Sequence, residues 1–280
     1  MLSMTNTTQL HVTEISDSYW RVTIDNGPIN LMGIQMVEEL AAIITRIETA
    51  PGLKVVVFDS ANPDFFIAHW DVLEDGAKVL AMPAGPTGMH PYNDNFSRLS
   101  RVPAVTISLI HGRVRGAGSE FALATDIRFA GDKAILGQFE VGAGAVPGGG
   151  AMARLSRLVG RGRAIEILLG ADDFPAALAA QYGYVNRVLP DAELDAFVDA
   201  FASRIAGFNK RAIAETKGFI DNTSLPADDE LPPTLDAFFA TVTTEDAGAR
   251  LTSLFERGLQ TPGGAELDLG HQVSLFAAEK

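Results

Sequence analysis

Two apolar runs, "LKVVVFDS" at 53–60 and "AVTISLI" at 104–110, limit this chain more than any other feature. A strand that is apolar on both faces must be covered on both faces, as in a parallel sheet flanked by helices. The surrounding pattern agrees. "LHVTEI" and "YWRVTID" alternate apolar and polar residues, as half-buried strands do. "GIQMVEELAAIITRIETA" carries apolar residues at helical spacing and stops before Pro51. "IRFAG" and "KAILG" read as short strands, "GSEFALATD", "AMARLSRLVG", "RAIEILLG" and "PAALAAQYG" as helices, and "YVNRVL" as a further strand. After Pro190 come helices alone: "AELDAFVDAFASRIAGF", "KRAIAETKGFIDN", "LPPTLDAFFATV" and "TEDAGARLTSLFERGL". Strands and helices that alternate and then give way to helices predict an α/β core at 1–205 with a helical region at 206–280. "ANPDFFIAHWDV" and the stretch 74–95, rich in turn formers, are expected to be irregular connections.

Composition narrows the functional classes. The chain has 280 residues and no cysteine, which removes disulfides, thiolate metal sites and a cysteine nucleophile. No apolar run approaches membrane-spanning length, and the N-terminus shows no secretory pattern, so the expected location is cytoplasmic. A net charge of −13 disfavours nucleic acid and anionic membranes as partners. It leaves room for a small polyanion where arginines gather, at Arg113 and Arg115 and again at Arg154, Arg157, Arg161 and Arg163. A salt-bridged, solvated face is the other reading of that run. The five histidines lack metal-ligand spacing, so no metal site is expected.

"RGAGSEFALATD", at 115–126, places small residues and a glutamate where a strand ends and a helix begins. A dinucleotide site does not fit, because Phe121 stands at the third glycine of the fingerprint and no acidic residue ends the next strand. A hydrolase elbow does not fit either, since Ser119 lacks glycines two residues to each side. An anion hole does fit. Small side chains at 116–118 admit a ligand oxygen to the backbone, and the first N–H groups of a helix favour negative charge. Glu120, one turn in, either stabilises the helix start or acts on what binds there. Glu140 begins a glycine-rich loop, and two such carboxylates brought together could divide acid and base roles.

Several linked motifs in order resemble the crotonase superfamily, the enoyl-CoA hydratase/isomerase family. "VRGAGSEFALATDIRFA" is similar to that family's "xxGGGxELAxxCDxRxA", and "VVVFDSANPDFFIAHWDV" to its "xxVLTGxGxxFxAGxDL". The stretch from "ILGQFEVGAGAVPGGG" through "YGYVNRVLP" resembles its "FGxPExxxGxxPGxGG…GLVNxVVP". The resemblance implies a crotonase-like spiral of ββα units whose C-terminal helices assemble a homotrimer or a dimer of trimers. It implies an acyl-CoA thioester substrate, with coenzyme A as part of the substrate and no other cofactor. It also implies an oxyanion hole made by the backbone N–H groups of Trp70 and Ala117. By the same resemblance Glu140 is the base that activates water, while Glu120 holds that water and governs proton delivery. Ala68, His69, Asp71, Gly118, Pro28 and Ile29 fall at substrate-contacting positions. The implied reaction is hydration of a 2-enoyl-CoA; isomerisation, thioester hydrolysis and a non-catalytic CoA-binding scaffold are the alternatives.

This chain departs from the family pattern at defined places. His69 stands at a glycine position, which would strain the backbone if a positive φ were needed there. Trp70 occupies a donor position, so its ring either flanks the acyl group or packs in the core. Phe139 replaces a proline, and His111, Arg113 and Arg115 replace neutral residues. Lys217 is either solvated or within reach of a CoA phosphate.

Overall fold

The computed structural model describes residues 8–276. In chain order its elements begin with β1 (Leu10–Ser16), β2 (Tyr19–Ile24), α1 (Ile34–Thr49), β3 (Val55–Ser60), β4 (Phe65–Ile67), α2 (Gly76–Leu80) and α3 (Pro91–Arg101). There follow β5 (Val105–Ile110), β6 (Arg113–Arg115), α4 (Ala117–Ala124), β7 (Ile127–Gly131), β8 (Ile135–Gly137), α5 (Ala151–Val159) and α6 (Arg161–Gly170). The rest are β9 (Asp173–Pro175), α7 (Ala176–Tyr182), β10 (Arg187–Leu189), α8 (Asp191–Ala206), α9 (Lys210–Ser224), α10 (Pro232–Val242), α11 (Glu245–Glu256) and α12 (Leu269–Leu275).

Two sheets result, one of six strands in the order β1-β2-β3-β5-β7-β10 and one of four in the order β4-β6-β8-β9. In the large sheet β1 and β2 are antiparallel and the remaining pairs parallel, so Val55 stands opposite both Tyr19 and Val105. In the small sheet β4, β6 and β8 are parallel and β9 runs against β8. The pairs β3–β4, β5–β6 and β7–β8 are successive turns of a spiral. Each gives its first strand to the large sheet and its second to the small one, and a helix returns the chain.

Both faces of the large sheet are covered, as its apolar strands require. Val56 and Phe58 point into a core shared with Met36 and Ile44 of α1, Leu99 of α3 and Phe121 of α4. Val55, Val57, Ile107 and Leu109 point the other way, onto Leu194, Val198 and Ala202 of α8. The departures from the sequence expectation have two causes, short length and buried polar side chains. The segment 61–72 contains β4, and β6 and β9 are further strands of three residues, too short to show a period. The segment 74–95 holds α2 and the start of α3, and the rest of α3 runs on to Arg101. Its inner positions Asn93, Asp94, Asn95, Ser97, Arg98 and Ser100 are polar yet buried, which erases the apolar signal. Tertiary bonds satisfy several of them: Asn95 Nδ2 donates to the Val37 carbonyl at 2.8 Å, and Arg98 pairs with Glu48 at 2.6 Å.

Lys217, on α9, is neither solvated nor free for a phosphate. It is buried, lies 2.9 Å from Asp126 and 3.0 Å from Asp221, and donates to the Ser100 carbonyl. Removing one member of a buried pair leaves the other charge uncompensated, at a cost of about 3 kcal/mol. Lys217→Met should therefore lower the unfolding free energy obtained from urea titration by roughly that amount, with a lower midpoint. The folded variant should bind acyl-CoA as the parent does, and weakened binding without destabilisation would return Lys217 to the ligand.

Candidate functional site

Backbone crowding sets the site. The chain leaves β6 through Gly116, whose φ of +49° favours glycine. A Cβ there would stand 3.0 Å from Glu140 Oε1, 3.1 Å from Phe139 and 3.3 Å from His69 Cβ. Gly118 lies against β4, with the Ile67 carbonyl oxygen only 2.3 Å from where a Cβ would be. Gly118 thus allows α4 to rest on the strand and does not line the cavity. Ala117 is the first residue of α4, and its N–H has no acceptor among the described residues.

On the other side, β4 leads into Ala68, His69, Trp70 and Asp71. The segment 29–32 splints this loop: Ala68 N–H donates to the Ile29 carbonyl (3.1 Å), Met32 N–H to the His69 carbonyl (2.9 Å) and Asp71 N–H to the Met32 carbonyl (2.7 Å). The Trp70 N–H between them has no acceptor among the described residues. Ile29 and Ala68 pack with Phe65 behind the loop, and the Pro28 carbonyl accepts from Asn62. None of Pro28, Ile29, Ala68 or Asp71 lines the cavity that Trp70 and Ala117 face. His69 is not strained; the non-glycine residues with positive φ among the described residues are Asn30, Ala171 and Gln260.

Trp70 and Ala117 border a cavity of about 70 Å³ that also reaches Glu120, Glu140, Tyr92 and Phe139. Leu235, Phe238, Phe239 and Val242 of α10 form the opposite wall. The Trp70 ring meets Tyr92 edge-on at 5.5 Å and packs against the core as well as lining the cavity.

The two glutamates have unequal surroundings. Both are buried. Glu120 Oε2 accepts from the Tyr92 hydroxyl at 2.7 Å, and Oε1 accepts from Gly149 N–H at 2.6 Å and Ala151 N–H at 3.3 Å. Burial raises its pKa, and these three donors with the charge of Arg154 pull it back. Glu140 is pushed well above the carboxylate range, first by burial and then by the charge of Glu120. Its support comes from Gln138: with that amide's carbonyl accepting from Ser119 at 2.9 Å, its NH2 reaches both Glu140 oxygens at 3.0 and 3.1 Å. Both acids are thus raised, Glu140 further than Glu120, because Glu120 has more donors to offset its burial.

Other expected contacts lie elsewhere. His111 binds Asp195 at 2.9 Å and attaches α8. The arginines do not converge on one anion site. Arg154 is buried and donates to Ser100 Oγ and the Phe96 carbonyl, Arg157 pairs with Glu230, and Arg163 stacks over Tyr182. Tyr92, Gln138, Gly149 and the α10 aromatics were not singled out from sequence. The first lies in a segment that looked irregular, and the rest reach the site only through the fold.

The state of Glu140 has a consequence for stability. Above the ordinary carboxylate range the unfolded chain ionises this group while the folded chain keeps it neutral, so its contribution is fully present at low pH and is lost as pH rises. Glu140→Gln should be more stable than the parent, by a margin near zero at about pH 4 that widens toward pH 8. Guanidinium unfolding across that range measures it; a margin that narrows as pH rises would contradict the assignment.

Similarity to known proteins agrees with this geometry. Residues 14–247 match the family model described as enoyl-CoA hydratase/isomerase. The short-chain-enoyl-CoA hydratase of Clostridium acetobutylicum is 30% identical over 232 residues, covering 82% of this chain and 87% of that protein. The crotonyl-CoA hydratase of Syntrophomonas wolfei is 27% identical, with 82% and 88% covered. A crystal structure of an enoyl-CoA hydratase from Mycobacterium avium superposes with a TM-score of 0.79 at 26% identity, covering 89% of this chain and 96% of that one. A Streptomyces avermitilis structure, provisionally described as an enoyl-CoA hydratase, reaches 0.89 at 43% identity, with 95% and 96% covered. With the spiral fold, the crowded helix start and the two buried acids already in view, the chain belongs to the enoyl-CoA hydratase/isomerase family.

Proposed function

We propose that this chain is an enoyl-CoA hydratase that adds water to a 2-enoyl-CoA thioester through an enolate held by two backbone N–H groups. The observation that carries the reading is the pair of buried glutamates, unequally supplied with donors, beside two N–H groups without acceptors among the described residues. The thioester oxygen accepts from the Trp70 and Ala117 N–H groups. Those bonds strengthen as charge moves onto that oxygen, so the transition state gains more than the ground state.

The surroundings of the acids favour a division of labour opposite to the one expected from sequence. Ionised Glu120 takes a proton from water as the water oxygen bonds to Cβ. The double-bond electrons move toward the thioester carbonyl, and the Glu140 proton is delivered to Cα. Glu120 Oε2 has one protein donor and so retains a lone pair for the water. The cycle closes when the proton on Glu120 is passed on and Glu140 is reprotonated. Both acids are needed for water addition, whereas double-bond shift or thioester hydrolysis leaves one without a task. A scaffold that only binds CoA would give no return for the cost of burying two carboxylates.

The cavity size supports a short acyl group, in keeping with the names of the relatives. Exposed Phe208, Phe219 and Ile220, on and beside α9, support assembly into a homotrimer or a dimer of trimers. Light scattering of the purified protein tests that assembly.

Hydration removes the ultraviolet absorbance of a 2-enoyl thioester, which gives the assay. Glu120→Gln and Glu140→Gln should each lower kcat by roughly 10²- to 10⁴-fold while acyl-CoA still binds. Proline is tolerated at the first position of a helix and lacks an N–H. Ala117→Pro should therefore lower kcat by roughly 10²- to 10³-fold with little change in melting temperature. Full turnover in either glutamine variant would overturn that residue's role, and full turnover in Ala117→Pro would remove its amide from the mechanism.

A further inference from the structure

The end of the described chain returns beneath the Trp70 loop. A 3₁₀ turn, Gly264–Leu267, carries Glu266, which is fully buried. Its Oε1 lies 2.7 Å from His69 Nε2, a contact that spans 197 residues of sequence. The other ring nitrogen, Nδ1, lies 2.6 Å from the Trp70 carbonyl oxygen. A carbonyl only accepts, so Nδ1 carries a proton. Burial pushes Glu266 upward, but the bond and charge of His69, the Gln260 N–H and the charge of Arg115 together hold it below the usual range. The pair is a buried histidine–carboxylate contact one residue from the Trp70 N–H.

Three of the departures noted in the sequence end on this one turn. Besides His69, Arg115 donates to the Glu266 carbonyl at 3.0 Å while gripping both Asp173 oxygens at 2.6 and 2.7 Å. Arg113 donates to the Leu267 carbonyl at 3.1 and 3.2 Å. Gln260 adds a second tie, its N–H to Glu266 Oε1 at 2.8 Å and its side-chain amide to Asp71 Oδ1 at 2.7 Å. At the loop itself, Met32 N–H holds the carbonyl of the His69–Trp70 peptide and the His69 ring holds the next carbonyl. Both peptides that flank the Trp70 Cα are therefore anchored, one of them through Glu266.

We propose that Glu266, acting through His69, is a positioning residue for the Trp70 N–H, so that the docked 264–267 turn completes the oxyanion hole. This rests on the reading above, in which the Trp70 N–H receives the thioester oxygen.

Glu266→Gln keeps the shape and removes the charge. Misplacing a reacting group by about 1 Å can cost 10²-fold in rate, so kcat should fall roughly 10- to 100-fold while KM stays within about twofold. Bound 3-oxobutanoyl-CoA gives a reading that bulk stability does not move, because its enolate has its own ultraviolet band. The variant should hold a smaller enolate fraction than the parent. Because Glu266 acts through the ring, adding Glu266→Gln to His69→Gly should cost little further kcat. Multiplying losses in the double variant would overturn the proposal, as would an undiminished kcat and enolate fraction in Glu266→Gln. Should that variant not fold, Arg113→Met loosens the turn from its far side and should lower kcat several-fold; unchanged kcat there would overturn it equally. An inactive parent would instead sink the hydratase reading and leave the His69–Glu266 contact as an anchor.

Discussion

At Gly118 the first turn of α4 rests directly on the backbone of β4, and at Gly116 the chain passes between Glu140, Phe139 and His69 with no room for a side chain. Close approach of this kind does more than pack a helix. It brings the start of α4, whose first N–H groups have no acceptors further up the helix, alongside the Trp70 loop that follows β4. The two N–H groups face one cavity because the small sheet aligns β4 with β6 in parallel, so the chain leaves both strands at the same edge. A larger residue at 116 or 118 would separate the elements before it altered any chemistry.

The same crowding buries the two acids, and what then distinguishes them is the supply of donors. Glu120 draws on α3 through Tyr92 and on the glycine-rich loop through Gly149 and Ala151. That loop comes near enough because residue 149 has no side chain: a Cβ there would lie 2.4 Å from Glu120 Oε2. Among the described residues Glu140 draws only on the Gln138 amide and its own backbone N–H, and it has a charged neighbour in Glu120. Shared burial therefore raises the two groups unequally, a difference that neither residue would show in water.

The C-terminal region contributes to the site twice over. The aromatic pair of α10 closes the cavity that the spiral leaves open, and the 264–267 turn braces the loop from behind. Arg113, Arg115 and His69, which look like departures from the family pattern when read in the core alone, have their partners in this region.

The architecture was largely legible in the amino-acid sequence. Val55–Phe58 is apolar on both faces and had to be covered on both, Val105, Ile107 and Leu109 give β5 one continuous apolar face, and α1 shows its period over sixteen residues. The junction at Gly116–Glu120 is local, so its chemistry could be read from adjacent residues. Other features were not legible, for physical reasons. Strands of three residues such as β4, β6 and β9 have no period to detect, and α3 hides its helical face under buried polar side chains whose partners lie on other elements. Which acid holds the proton depends on donors distant in sequence, and His69 meets Glu266 across 197 residues. Contacts made through folding are set by geometry that no local pattern encodes, so the sequence by itself determined the layers and the helix start. Only the tertiary structure decided the unequal surroundings of the two acids and the contact of the 264–267 turn with the Trp70 loop.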